Sequence, residues 1–150
     1  MATVYHAVQE GPHGFENEVA VKVVHPELIE EHPFLLQNLV DEARIAARIR
    51  HPNVVRILDL VEDKDRFYLV MDYVDGVSMR QVLDSARDNH TRPPAAPVLE
   101  VLALAARGLD AAHRLVLPDG THMGLVHRDM KPGNILVSHD GLVKVSDFGV

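Results

Sequence analysis

The stretch whose reading decides the fold is HRDMKPGNILVSHDGLVKVSDFG, residues 127–149. Pro132 and Gly133 force an irregular backbone, so its first part is a loop that presents polar groups rather than a helix. Asp129 is a carboxylate able to accept a proton, Lys131 a cation two residues later, and Asn134 an amide five residues later. The runs NILVS and LVKVS around His139, Asp140 and Gly141 read as a hairpin. One hairpin after the first carboxylate comes a second, Asp147, followed by Phe148 and Gly149. Transfer of a phosphate to a hydroxyl needs this set: an acceptor for the hydroxyl proton, a positive charge, and oxygen ligands for a hard metal. An ordinary polar turn between two strands would look much the same, and each short pattern alone is a weak match.

Working outward, the remaining chain suits one soluble domain. It has 150 residues, 47% hydrophobic and 25% charged, enough apolar material for a core. A formal charge of −7 gives no electrostatic footprint for nucleic acid or an anionic membrane. The absence of cysteine excludes a disulfide framework, a zinc thiolate site and a thiol nucleophile. Ten histidines are scattered, with His25, His32 and His51 each preceding a proline, and they do not suggest a metal site. The first residues lack the basic start and apolar run of a signal peptide, and no stretch is long enough to span a bilayer. The expected location is cytoplasmic.

The N-terminal part reads as strands. Residues 3–8 and 18–24 flank a turn at 11–14 and predict a hairpin; residues 54–63 and 66–74 predict two further strands around a charged turn at 62–66. Between them, residues 33–50 predict a helix whose apolar stripe is Leu35, Leu39, Glu42, Ala46 and Ile49. A carboxylate in that stripe requires a cationic partner or a place at its edge. After Gly76 the texture changes. Residues 78–86 predict a short helix, 87–97 a loop with three prolines, and 98–115 a strong helix that is apolar around most of its circumference. Residues 118–124 form a turn. The result is an α+β plan: a β-rich first lobe carrying one helix, then a mainly helical second lobe with two small hairpins, hinged near residues 72–76.

HRDMKPGN, then DFG, with VAVK (residues 19–22) and a helical glutamate upstream, resembles the protein kinase superfamily. The motifs occur in family order and the likeness covers essentially the whole chain. MATVY and HPNVVRI are similar to bacterial-type serine/threonine kinases. The resemblance implies an incomplete two-lobe kinase fold, with residues 1–74 as N-lobe and 75–150 as a partial C-lobe. It implies ATP and Mg²⁺ as cofactors and a protein bearing a serine or threonine hydroxyl as substrate, and it leaves the oligomeric state open.

By motif, Lys22 would hold the α- and β-phosphates and pair with Glu42 when the helix swings in. Asp129 would orient the substrate hydroxyl and accept its proton, while Lys131 steadies the transferred group. Asn134 and Asp147 would bind Mg²⁺. Met71 stands at the gatekeeper position. Asp72 to Val74 would offer backbone groups to the adenine edge, and Val4, Ala20 and Leu136 would sandwich the base. Ala46, Ile57, His127 and Phe148 match the stack that links the lobes, a role for which plain core packing is the simpler account.

Two departures lie at the ends. Aligned on Val4, Ala2 takes the place of the third glycine of the family's glycine-rich loop, and Met1 falls inside that loop. Past Val150 the family continues with an activation segment and several helices. The expectation is a chain inactive by itself, with an exposed apolar face on the helix over 98–115 and with Asp147 near a fraying end. The competing reading is a pseudokinase-like or regulatory protein-binding fragment. Lys22, Asp129, Asn134 and Asp147 argue against a degenerate site. Full-length bacterial relatives often carry a membrane segment outside the kinase domain, so a membrane-anchored parent is compatible with this chain.

Overall fold

The structure is a computed structural model and describes residues 2–24, 33–63 and 66–148. Two compact units divide the chain. One is built from residues up to Arg48 together with Arg56–Tyr73, the other from Ile49–Val55 and from Val74 onward.

In the first unit, strands β1 (Ala2–Glu10), β2 (Glu16–Val24), β3 (Ile57–Asp63) and β4 (Arg66–Asp72) form an antiparallel sheet in the order β1-β2-β4-β3. The predicted first hairpin is present and longer than expected. Its connection is a 3-10 turn at Pro12–Gly14, in which His13 (φ 61°) and Gly14 (φ 77°) take left-handed backbone. Gly11 N donates to Phe15 O at 2.6 Å and closes the loop. β4 alternates strictly, with Phe67, Leu69 and Met71 buried and the residues between them half-exposed, as a half-covered strand should.

Helix α1 (Pro33–Ala46) lies against β3. It ends earlier than the predicted residue 50, because the chain tightens there: Arg48 N donates to Ile45 O, three residues back, at 3.0 Å. His51 precedes Pro52, whose ring disfavours continued helix. The buried stripe therefore runs through Ala43 and Ala46, with Glu42 half-buried at its edge; Ile49 is buried but lies beyond the helix. The side chains of Leu35 and Leu39 lie outside the described residues, as do His25, His32 and part of the 62–66 turn.

In the second unit, β5 (Gly76–Ser78), β6 (Ile135–Ser138) and β7 (Val143–Val145) form a small sheet in that order. The β6–β7 hairpin matches expectation. β5 is too short to announce itself in sequence. Helix α2 (Met79–Asp88) starts with a capping box: Gln81 N donates to Ser78 Oγ, and Gln81 accepts from Ser78 N at 2.7 Å.

Helix α3 spans Ala95–His113, starting within the predicted proline loop. Pro97 is tolerated because amides of a helix's first turn have no intrahelical acceptor, so a missing N–H costs nothing there. α3 packs on β7 through Ala105, Gly108 and Ala112. Away from this face, Leu99 (64%) and Leu102 (48%) are exposed.

Residues 54–63 do not form one strand as predicted. Val54 bridges Val145, Val55 N donates to Val145 O and Val145 N to Asn53 O, both at 2.9 Å. These bonds draw Ile49–Val55 into the second unit, and β3 begins only at Ile57. No helix among the described residues is long and apolar enough to cross a membrane.

Candidate active site

The predicted residues fall in both units. Val4, Ala20, Lys22, Glu42, Met71 and Asp72 belong to the first, and Val74, Asp129, Lys131, Asn134, Leu136 and Asp147 to the second.

In the first unit the sheet register gathers them. Val4 lies opposite Lys22 on the β1–β2 ladder, and Ala20 opposite Met71 on the β2–β4 ladder. Cross-strand partners share a face, as do residues two apart on a strand, so Val4, Ala20, Lys22 and Met71 occupy one side of the sheet. Met71 is buried, Lys22 and Ala20 are half-buried, and Val4 is exposed. Asp72 ends β4 beside Arg56: their side chains lie 3.4 Å apart, and Asp72 N donates to Arg56 O at 2.9 Å. Glu42, half-buried on α1, belongs to this unit too.

In the second unit a single loop holds the polar set. Lys131 Nζ donates to Asp129 Oδ2 at 2.5 Å. Asn134 Nδ2 donates to the Asp129 carbonyl oxygen at 2.9 Å and lies 3.4 Å from its Oδ2. Both carboxylate and ammonium are largely exposed, while Asn134 is buried. The Lys131 hydrogen bond is the main reason that the Asp129 carboxyl is held below its ordinary range, and the Asn134 bond works in the same direction. The charged form of Asp129 is thus favoured, and its carboxylate is held by hydrogen bonds within the loop.

Asn134 is fixed from behind. Ser146 N donates to its carbonyl oxygen at 2.9 Å, which places the residue after β7 against the loop before β6. His127 continues the link: its Nε2 donates to Ser146 O at 2.8 Å, and its ring tilts against Phe148 with centroids 4.6 Å apart. His127 is buried, and among the described residues its Nδ1 has no partner. Bonding to a carbonyl requires the proton on Nε2. Asp147 follows Ser146 with φ at 59°, and Arg128 precedes Asp129 with φ at 63°. Left-handed backbone at two non-glycine residues flanking one cluster is the kind of strain that a packed site retains. Sequence reasoning missed Ser146, for which no local signal exists. It also missed the buried Asn53, whose Nδ2 donates to Val143 O at 2.8 Å.

The donors suit a hard divalent cation of the Mg²⁺ type. Asn134 uses its amide nitrogen on Asp129, which leaves its side-chain oxygen as the end not committed to that bond. Asp147 is a carboxylate in the adjacent turn, and oxygen ligands of both kinds are what such a cation takes. Among the described residues no group of three or more His, Cys, Asp or Glu could hold a metal, so a cation here would take its remaining oxygens from water or a phosphate.

The chain belongs to the protein kinase family: the protein kinase domain matches residues 1–150. Among curated proteins it is 37% identical over 150 residues to the tyrosine-protein kinase MasK of Myxococcus xanthus, covering all of this chain and 23% of that protein. It is 37% identical over 139 residues to the serine/threonine-protein kinase PknB of Mycolicibacterium smegmatis, covering 89% of this chain and 20% of that one. It is 32% identical to the serine/threonine-protein kinase PrkC of Bacillus subtilis, covering 90% and 19%. The chain therefore spans about a fifth of the length of these relatives. Among solved structures, the PknI kinase domain of Mycobacterium tuberculosis matches with a TM-score of 0.77 at 29% identity, over 97% of this chain and 54% of that one. Residues 1–466 of Rad53 in complex with AMP-PNP match with a TM-score of 0.74 at 27% identity, over 99% and 34%. The incomplete α+β kinase fold expected from the motifs agrees with these neighbours.

Proposed function

We propose that this chain is part of an ATP-dependent serine/threonine protein kinase, which transfers the γ-phosphoryl group of ATP to a serine or threonine hydroxyl of a protein. The observation that carries the reading is the loop in which Lys131 bonds the Asp129 carboxylate and Asn134 bonds the Asp129 backbone carbonyl. Residues 1–74 act as N-lobe and 75–150 as part of the C-lobe, with Ile49–Val55 packed into the second unit.

Asp129 aligns the attacking hydroxyl and takes its proton. Lys131, bonded to that carboxylate, neutralises the transferred group. Asn134 and Asp147 would hold Mg²⁺, whose charge offsets that of the phosphates. Lys22, steadied by Glu42, neutralises the α- and β-phosphates. Val4, Ala20 and Leu136 enclose the adenine beside Met71, and the backbone from Asp72 to Val74 meets its edge. Phosphoryl transfer asks mainly for positioning and charge stabilisation, which this set supplies. Support for a serine or threonine acceptor comes from Lys131 two residues past the base and from the relatives named serine/threonine kinases. MasK, named a tyrosine kinase, makes acceptor identity the point to measure.

The test incubates the full-length natural protein with Mg-ATP and a basic protein, followed by phosphoamino-acid analysis. Phosphoserine or phosphothreonine should form, and Asp129→Asn should lower kcat by about 10²- to 10⁴-fold. Phosphotyrosine alone would correct the acceptor. Neither phosphate incorporation nor nucleotide binding would leave a protein-binding role.

A further inference from the structure

Strand β1 carries His6 on the same side of the sheet as Val4, because His6 lies opposite Ala20 in the ladder that sets Val4 opposite Lys22. The His6 ring stacks on Tyr73, with centroids 3.9 Å apart and planes 9° from parallel. Its Nε2 lies 3.1 Å from Glu18 Oε1 on β2. Tyr73 is the first residue beyond β4, where the ladder no longer holds the chain. This contact therefore reaches from the edge strand, past β2, to the end of β4.

The residue before Tyr73 is anchored from the other flank. Asp72 N donates to Arg56 O at 2.9 Å, Arg56 N to Asp72 Oδ2 at 3.4 Å, and the guanidinium lies 3.4 Å from Oδ1. Arg56 precedes β3, the strand on the far side of β4 from β2. Residues 72 and 73 are thus gripped by β1 on one side and by the start of β3 on the other. Nothing in the local sequence marks His6, an ordinary exposed strand position.

We propose that His6 is a positioning residue for the nucleotide: its ring, oriented by Glu18, holds Tyr73 and so sets the backbone of residues 72–74 against the adenine edge. This rests on the kinase reading above. The ring acts through Tyr73 and touches no reacting atom. Two flat rings at van der Waals separation resist sliding of the segment more than an aliphatic contact would, and the Glu18 bond fixes the ring's tilt.

The test uses the full-length natural protein with His6→Ala and His6→Phe. Amide hydrogen exchange at residues 73 and 74 is measured without nucleotide. Affinities are measured for Mg-ATP and for Mg-tripolyphosphate, which lacks the base. In His6→Ala, exchange should quicken and ATP should bind about three- to tenfold more weakly, the scale of one aromatic pair. His6→Phe, which keeps a ring to stack but loses the Glu18 bond, should fall between the parent and His6→Ala, and tripolyphosphate affinity should not change. A merely structural role would weaken both ligands together. The inference alone is overturned by unchanged exchange or ATP affinity in His6→Ala, by an equal loss in His6→Phe, or by an equal loss of tripolyphosphate affinity. Failure of the unsubstituted protein to bind ATP overturns the kinase reading, and this inference with it.

Discussion

At Asp129, one hydrogen bond lowers the pH at which the proposed base takes up a proton. Lys131 holds the carboxyl below its ordinary range, so it stays ionised as pH falls through the values at which an unpaired aspartate takes up a proton. The stability that this pair contributes is present above the ordinary carboxylate range and is lost as pH drops through the lowered value. Both groups are mostly exposed, so that contribution is small and the effect on charge state matters more. Lys131→Met should return Asp129 to protonation near the ordinary value of about 4, read by carbon NMR titration of its carboxyl group. The acid limb of activity should move up in pH with it. A titration unchanged by the substitution would show that Asn134, not Lys131, sets the charge state.

At the scale of elements, the close approach of α3 to the segment around Asn53 depends on a missing side chain. A Cβ built on Gly108 would sit 2.4 Å from Asn53 O and 3.1 Å from Asn53 C, both backbone atoms that cannot swing aside. Gly108→Ala should therefore destabilise by about 1–3 kcal/mol, through displacement of α3 or of the segment beneath it. Gly133 has open space in the same direction, and Gly133→Ala should stay within about 1 kcal/mol of the parent. Urea unfolding of the two variants makes the comparison; equal midpoints would mean that the helix shifts without cost. This approach explains why a glycine, weak in helix propensity, sits inside the chain's longest described helix.

For the whole molecule, the division into units does not follow chain order. Asn53 lies between α1 and β3 in sequence, yet its side chain bonds Val143 O at 2.8 Å, and Val54 and Val55 join Val145. Val145 is fully buried there. Asn53→Ala leaves the Val143 carbonyl without this buried donor, which should cost about 1–3 kcal/mol. The loss should appear as faster amide exchange in β6 and β7, with β1 and β2 unaffected. Faster exchange confined to β1 and β2 would contradict the assignment of Ile49–Val55 to the second unit.

Much was legible in the sequence because its signals are local. The run over residues 66–74 pointed to a strand where β4 forms, the turn residues around Asp140 pointed to the β6–β7 hairpin, and the 127–134 motif with Asp147 pointed to the family and its catalytic loop. Each depends on residues within a few positions of one another, where backbone propensity and side-chain period act directly. The tertiary structure decided the rest. It split the stretch 54–63 between two units, and recruited Ser146 behind Asn134 and His6 beside Tyr73. None of these has a local cause. Each follows from contacts between residues distant in the chain, and a propensity read along the sequence has no access to what the folded chain brings alongside.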